Sequence, residues 1–379
     1  MKSPPPRILA FGITISSGHR RAAEAVLENW PGPARFVDAL ELQGPRWRAF
    51  VHDSYLSTIR ARPGVWDLLY DNPRVVPMVE ALGLLFHAGA RARYRALLAE
   101  FEPDLLLATQ AIPAALLARI RREGGHDLPI LAVATDYGFH PYWFRDGIDA
   151  YCVATEEARA RLLAAGAAPS AVHVTGIPVS DRIQRAAEDL PGARAEAERQ
   201  WGIGPDEKVA LLVGGGRGLG ISPEHLAAVE SSGATTVVAL GGSSRELVRR
   251  FEETPRRAGV RRITAGMVPA IEPLYARADL VVTKPGGLTL AETLALGRPL
   301  ALVAPLPGQE IQNLENLAPR GAARFTPTPE ILSDFARRIF SDEAFALTHA
   351  AAARSAGRPD AAIRVRAVAN GLLSPASAR

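Results

Sequence analysis

The sequence predicts an α/β protein built from two doubly wound domains that face a cleft. Short apolar runs alternate with segments of helical periodicity, and glycine-rich turns follow several of these runs. The whole pattern occurs twice, on either side of a polar, helix-forming stretch at 181–200. Because strands that alternate with helices pair in parallel, each series is expected to form one sheet covered on both faces.

The elements of both series can be placed in order along the chain. In the first series, strands are predicted at 8–11, 35–38, 104–108, 129–135, 150–154 and 172–175, with helices at 21–30, 112–122 and 156–165. In the second series, strands are predicted at 209–213, 235–240, 261–264, 279–282 and 300–303. An alanine-rich helical tail follows at 329–373. The expected domains are therefore 1–185 and 200–345, with further helices at 346–379.

Composition restricts the class of protein. The chain has 379 residues, of which 47% are hydrophobic and 22% charged, so a disordered, collagenous or coiled-coil protein is excluded. A single cysteine, Cys152, excludes an internal disulfide and a cysteine-based zinc site. The net charge of +4 permits an anionic surface or nucleotide as partner, and no nucleic acid is expected. No signal peptide or membrane span is evident, so we expect a cytoplasmic protein.

The segment 46–95 differs from the rest of the first series. It holds eight arginines against four acidic residues, and aromatic residues lie between them. The aromatic residues include Trp47, Tyr55, Trp66, Tyr70, Phe86 and Tyr94. This mixture suits the interface of an anionic bilayer, where each basic group contributes about 1 kcal/mol. An ordinary helical insertion with solvated arginines is the alternative.

The stretch 279–292, DLVVTKPGGLTLAE, is the most informative motif. A buried strand runs into a turn that contains Gly286 and Gly287, and a helix is predicted to begin near Leu288. The first amides of a helix lack internal partners and carry partial positive charge, so a diphosphate is the expected ligand. Glu292 lies about one turn into this helix, where its carboxylate can accept hydrogen bonds from sugar hydroxyls. The polar residues of 300–313 are predicted to form a loop facing the same cleft. No dinucleotide fingerprint opens the first unit, and no Walker lysine is present.

These motifs resemble the monogalactosyldiacylglycerol synthase and processive diacylglycerol glucosyltransferase family, which is related to the peptidoglycan lipid II synthase. TKPGGLTLAE at 283–292 and PGQEIQN at 307–313 are similar to its nucleotide half. SGHRRAA at 17–23, TDYGFHPYW at 135–143 and VTGIPV at 174–179 are similar to its N-terminal half. The resemblance covers nearly the whole chain, in order.

The resemblance implies a GT-B fold of two Rossmann-like domains, with the last helix often returning to the first domain. The C-terminal domain would bind a UDP-sugar through Gly215, Gly216, Met267, Val268, Lys284, Gly286, Gly287, Leu288, Thr289, Glu292, Gln309 and Glu310. The N-terminal domain would hold a lipid acceptor, with Gly18 and Trp143 among the acceptor-binding residues. The enzyme would lie peripherally on the inner face of the cell membrane.

Transfer of a sugar with inversion needs one base and stabilisation of the departing diphosphate. His19 is a candidate base because an imidazole accepts a proton near neutral pH, and Asp136 is the rival, with His140 beside it. The helix N-terminus and Lys284 can carry the leaving charge, so no metal or other cofactor is expected.

The function expected is glycolipid synthesis by transfer of a hexose to a diacylglycerol-type hydroxyl. A transferase acting on a polyprenyl-linked or soluble acceptor, and a nucleotide-sugar epimerase, are the alternatives.

Overall fold

The structure, a computed structural model, describes residues 4–14, 17–43, 90–306 and 308–374. By its internal contacts the chain divides into two compact units. The first unit holds the residues up to Ser180 and those from Asp360 onward, together with 307–309. The second holds Asp181–Leu306 and Glu310–Pro359.

The first unit is built on a sheet of six described strands, all parallel, in the order β2-β1-β3-β4-β5-β6. These are β1 (Ile8–Gly12), β2 (Ala34–Asp38), β3 (Leu105–Ala108), β4 (Ile130–Val133), β5 (Ala150–Val153) and β6 (Val172–Val174). The central strands are apolar and buried on both faces, as expected for a sheet between two helical layers.

The second unit has its own sheet of six described parallel strands, in the order β12-β11-β10-β7-β8-β9. These are β7 (Val209–Val213), β8 (Thr236–Leu240), β9 (Arg261–Ala265), β10 (Leu280–Thr283), β11 (Leu300–Leu302) and β12 (Arg324–Phe325). The two outermost strands differ in that β12 has only two residues, whereas β9 is fully paired with β8. Side chains on one face form a continuous apolar core with helices that flank the sheet.

The helices are numbered in chain order. They are α1 (Ser17–Leu27), α2 (Ala111–Arg122), α3 (Glu156–Ala164), α4 (Asp181–Glu188), α5 (Leu190–Trp201), α6 (Pro223–Glu230), α7 (Arg245–Glu253), α8 (Glu272–Arg277), α9 (Gly287–Ala295), α10 (Gln309–Leu317), α11 (Pro329–Ser341), α12 (Glu343–Ala356) and α13 (Ala361–Leu373). Residues 90–101 are also helical.

Several helix starts carry a side-chain cap. The hydroxyl of Thr155 accepts a hydrogen bond from the amide of Ala158 at the start of α3, and Asp342 accepts one from Phe345 at the start of α12. These caps place each helix directly after its strand or preceding helix, so the carboxyl ends of the parallel strands remain lined by short loops.

The last helix packs on the first sheet. Val365 and Ala369 of α13 are fully buried with Ala23 and Val26 of α1 and with Cys152 of β5. Arg366 also donates a hydrogen bond from Nη1 to the carbonyl oxygen of Ala25, at 3.1 Å. One face of the first sheet is thus covered by helices that come from opposite ends of the described chain.

The predicted α/β fold class with two parallel sheets is confirmed. Two local predictions are wrong. The first helix begins at Ser17 rather than at residue 21. Gly18 disfavours a helix, but the hydroxyl of Thr109 donates a hydrogen bond to the main-chain oxygen of His19 and holds this first turn. The predicted polar loop before residue 313 contains the start of helix α10, whose buried residues Glu310, Asn313 and Leu317 recur at helical spacing.

Most of the basic aromatic segment 46–95, namely residues 46–89, lies outside the described residues. At its end, Tyr94 is fully buried and stacks on Phe11, with ring centroids 5.2 Å apart. Arg91 forms an ion pair with Glu123. Both side chains therefore contact other residues of the first unit. No described helix combines the length and the apolar character that a membrane crossing needs.

Candidate active site

The turn after β10 is built as the sequence predicts. Thr283 ends the strand with its hydroxyl bound to the carbonyl oxygen of Val213, at 2.9 Å. Gly286 occupies the N-cap position of α9 and has no side chain to bond the first amides of the helix. Leu288 is buried, and Thr289 is half-buried. The amino end of α9 therefore presents main-chain N–H groups beside a glycine, which is an arrangement suited to an anion.

Lys284 lies beside this helix terminus. Its ammonium group forms an ion pair with Glu310, whose other carboxylate oxygen accepts a hydrogen bond from the amide of Leu306 at 2.9 Å. A Cβ added at Gly286 would lie 3.5 Å from the Lys284 nitrogen, so the charge is next to the N-cap. Asn313 donates to the carbonyl oxygen of Pro285 at 2.9 Å and ties α10 to the same turn.

The resemblance implies that Glu310 contacts the UDP-sugar, but in the structure its carboxylate binds other groups of the protein. Its carboxylate is buried, and both of its oxygens are engaged within the protein. Gln309, the first residue of α10, is half-buried. A contact of either residue with a donor sugar stays a prediction.

Glu292 lies on α9 with only 1% of its surface exposed. The residue is on the helix that begins at the glycine turn, as the sequence predicts. Since its carboxylate is not on the outer surface, the ribose contact predicted for it requires a ligand that becomes buried with it.

The glycine-rich loop after β7 adjoins the turn. Gly215 and Gly216 lie in a short 3-10 helix after β7, and Gly216 accepts a hydrogen bond from the amide of Ser243 at 3.0 Å. Gly220 has φ of +84°, and a Cβ there would collide with Lys284 Cβ at 2.6 Å. The loop therefore packs against Lys284 with no room for a side chain, at the carboxyl edge of the sheet.

Met267 and Val268 follow β9 at this edge. Met267 is 68% exposed, the highest value among the large exposed hydrophobic side chains described, and Val268 is half-buried. Contact of Met267 and Val268 with the UDP-sugar stays a prediction. The exposed thioether of Met267 is free of core packing.

In the first unit, His19 is held by two neighbouring strands. Its Nδ1 lies 2.9 Å from the carbonyl oxygen of Thr109, which follows β3, and 2.8 Å from the hydroxyl of Thr135, which follows β4. Burial lowers the pKa of His19 below its usual value, outweighing the opposite influences of the Asp136 charge and the Thr109 carbonyl. His19 itself lies in the first turn of helix α1 and not in a loop.

Asp136 and His140 follow Thr135 in the sequence. Asp136 acts on His19 through its charge. His140 is buried at the N-cap of the 3-10 helix 141–143, where its Nδ1 accepts a hydrogen bond from the amide of Tyr142 at 3.1 Å. Its ring also stacks on Tyr142, with centroids 4.2 Å apart.

The two residues predicted to bind the acceptor occupy different settings. Gly18 lies in the first turn of α1, directly before His19. Trp143 is buried in the hydrophobic core beside Phe139. Its side chain packs inside the unit, and a role in acceptor binding stays a prediction.

Sequence reasoning missed Thr109 and Thr135, although both contact His19. The signal for Thr135 was present, because it opens the motif TDYGFHPYW. Nothing in the apolar run that ends before Thr109 marks it. Among the described residues, no group of three or more His, Cys, Asp and Glu side chains is arranged to hold a metal ion.

Family models match both halves of the chain. Residues 19–179 match monogalactosyldiacylglycerol (MGDG) synthase, and residues 233–365 match the glycosyltransferase family 28 C-terminal domain. Together the two ranges span more than half of the chain. The chain is a glycosyltransferase.

Two curated relatives of this glycosyltransferase carry the same name. The processive diacylglycerol beta-glucosyltransferase of Bacillus subtilis (strain 168) is 29% identical over 290 residues, which is 76% of this chain and 74% of the relative. The enzyme of the same name from Staphylococcus epidermidis (strain ATCC 35984) is 28% identical over 253 residues, covering 65% and 62% of the two chains.

Solved structures of low sequence identity share the fold of this glycosyltransferase. MurG of Acinetobacter baumannii covers 97% of this chain and 100% of its own, with a TM-score of 0.63 and 16% identity. The UDP-GlcNAc 2-epimerase of Neisseria meningitidis covers 97% and 99%, with a TM-score of 0.60 and 14% identity. The GT-B architecture implied by the sequence motifs is thus confirmed.

Proposed function

We propose that this glycosyltransferase moves a hexose from a UDP-sugar to the hydroxyl of a diacylglycerol-type lipid, with inversion. Its family and the name of its curated relatives support a glycolipid product. A similar fold, that of Anabaena Alr3699/HepE at 14% identity and a TM-score of 0.55, was solved with UDP-glucose bound. The identity of the hexose is left to experiment.

The observation that carries the donor half of the proposal is the turn between β10 and α9. It combines main-chain amides at a helix N-terminus with the ammonium group of Lys284 next to the N-cap glycine. In our proposal both stabilise the negative charge of the diphosphate as the bond to the sugar breaks.

The base is proposed to be His19. A carbonyl oxygen only accepts hydrogen bonds, so the contact with Thr109 requires a proton on Nδ1 of His19. Nε2 then carries the lone pair, which can take the proton of an acceptor hydroxyl. Asp136 remains the rival base, since its charge acts on the same imidazole.

His140 has the opposite tautomer. The amide of Tyr142 donates to its Nδ1, so the proton of the neutral ring lies on Nε2. We therefore propose that His140 donates a hydrogen bond, through which it positions the acceptor, and that it does not abstract a proton.

The proposed place of action is the inner face of the cell membrane. The basic and aromatic composition of 46–95 supports this proposal. Sedimentation with vesicles provides the test: we expect binding to anionic vesicles that weakens as salt rises. Absence of binding to anionic vesicles would count against a glycolipid acceptor.

The reaction itself is tested with the purified chain, diacylglycerol in vesicles, and UDP-glucose, UDP-galactose or UDP-GlcNAc in separate incubations. Mass spectrometry of the extracted lipid should find diacylglycerol carrying one or more hexose residues with one of the two UDP-hexoses. A product on a polyprenyl phosphate or a soluble acceptor alone would replace the proposed acceptor. A changed nucleotide-sugar in the absence of any acceptor would favour the epimerase alternative, which shares the fold.

A further inference from the structure

The strongest unassigned feature is the pair of contacts at Nδ1 of His19. Thr109 contributes a main-chain oxygen at 2.9 Å, and Thr135 contributes its hydroxyl oxygen at 2.8 Å. Both threonines are buried, with 0% and 4% of their surface exposed. The imidazole is therefore held on one side by groups that follow β3 and β4, two adjacent strands of the first sheet.

The direction of the proton in these contacts follows from their chemistry. Nδ1 must be the donor toward Thr109, because a carbonyl oxygen has no proton to give. The hydroxyl oxygen of Thr135 then acts as a second acceptor for the same N–H group. Two acceptors on Nδ1 fix the tautomer with Nε2 unprotonated, and they fix the plane of the ring.

We infer that Thr135 is a positioning residue for the reaction, which holds the His19 imidazole in the tautomer and orientation that a general base needs. This inference rests on the proposed function, in which His19 takes the proton of the acceptor hydroxyl. Thr135 acts through His19 and has no contact with the reacting atoms in this scheme.

The contact also sets how basic the imidazole is. When Nε2 takes up a proton, the N–H group at Nδ1 becomes part of a cation, and acceptors at Nδ1 stabilise that cation. Removal of the Thr135 oxygen therefore lowers the pKa of His19 further below its usual value. Among the described residues, the charge of Asp136 raises the pKa of His19 and so opposes this decrease. Arg20, on the same helix as His19, forms an ion pair with Glu24.

The test compares the variants Thr135→Val, Thr135→Ser and Thr175→Val in the transfer assay between pH 5 and 8. Valine keeps the size of threonine and removes the hydroxyl, whereas serine keeps the hydroxyl. Thr175 is the matched control: it is buried, it follows β6 of the same sheet, and its hydroxyl donates to the carbonyl oxygen of Gly176.

For Thr135→Val we expect kcat to fall about tenfold, since one hydrogen bond to a charged group is lost, with KM for the UDP-sugar unchanged. The acid limb of the pH profile should move to lower pH. Thr135→Ser should restore both kcat and the limb, and Thr175→Val should resemble the parent enzyme. An unchanged pH profile in Thr135→Val, or an equal loss in Thr135→Ser, would overturn the inference.

A second measurement does not depend on the folding of a Thr135 variant. Nitrogen chemical shifts of ¹⁵N-histidine in the unmodified protein, assigned with His19→Ala, should report a protonated Nδ1 and an unprotonated Nε2 at His19. The reverse pattern overturns the inference directly. If the unmodified chain transfers no sugar at all, the proposed function fails, and this spectrum still tests whether Thr135 and Thr109 hold the ring as described.

Discussion

At the level of single residues, Glu292 and His19 belong to different steps of the proposed reaction. Glu292 is on the helix that begins at the glycine turn, in the second unit, and His19 is in the first. Replacing them should therefore damage the reaction in distinguishable ways.

For Glu292→Ala we expect transfer to fall by at least about a hundredfold. The reason is that the carboxylate proposed to hold the ribose is gone, so calorimetry with UDP should find weaker binding as well. Glu315→Ala, which removes an exposed carboxylate of α10, is the control and should leave both values unchanged. Normal UDP affinity in Glu292→Ala would contradict the ribose role.

For His19→Ala we also expect transfer to fall by at least about a hundredfold, with the affinity for UDP retained. The pH profile of the parent enzyme bears on the same residue. Because burial lowers the pKa of His19, the base stays unprotonated to lower pH, and activity should be lost only as pH falls through a value below 6.5. Near-normal turnover in both His19→Ala and Glu292→Ala would end the assignment of this chemistry.

The candidate site could be predicted only in part from the sequence. Motif residues such as Lys284 and Gly286 are predictable because their order along the chain carries the pattern. Thr109 is not, since its contact with His19 crosses 90 residues and arises only when two strands lie side by side. The pairing of Lys284 with Glu310 was missed for the same reason, because the two are 26 residues apart.

At the level of elements, the loops after β7 and β8 interlock through their main chains. Gly218 has φ of +68°, and a Cβ added there would lie 2.3 Å from the carbonyl oxygen of Gly241. The two loops can approach this closely only without a side chain at that position.

Gly218→Ala should therefore lower the free energy of unfolding by about 2–5 kcal/mol, through the left-handed backbone and the collision together. Gly259→Ala is the matched control, since Gly259 also has positive φ, +79°, but has no atom within 4 Å of the added Cβ. It should lose only about 1–2 kcal/mol. Urea unfolding measures both, and equal losses would show that the interlocking is unimportant.

Element boundaries were predicted best where local patterning is decisive. The strand Val209–Val213 is an uninterrupted apolar run and was predicted without error. The beginnings of α1 and α10 were not, because the first turn of each has a distant partner: the Thr109 hydroxyl for α1, and Lys284, which pairs with Glu310, for α10. Tertiary contacts outweigh the turn preference of glycine and proline there.

At the level of the whole molecule, two series of alternating strands and helices were enough to predict two parallel sheets. The order of the strands within each sheet could not be predicted, because it depends on which connections cross over. The packing of the last helix on the first sheet also has no local signature, since α13 is simply an alanine-rich helix in the sequence.

Val365→Asp should destabilise the first unit by about 3–5 kcal/mol, because it places a charge without a partner among buried apolar side chains of α1 and the sheet. Arg364→Ala is the control on the same helix. Its ion pair with Asp360 is about half exposed and contributes at most about 1 kcal/mol. Thermal unfolding followed by circular dichroism measures both, and equal stability of the two variants would mean that α13 adds little to the unit.

The position of α13 also matters while the chain is being made. A ribosome delivers Ile8, Leu105 and Leu131 long before Val365, yet all four side chains share one apolar layer. Until Val365 has been made, that side of the amino-terminal sheet lacks part of its cover and is exposed to aggregation. The second unit extends only to Pro359, so all of its residues are made before Val365.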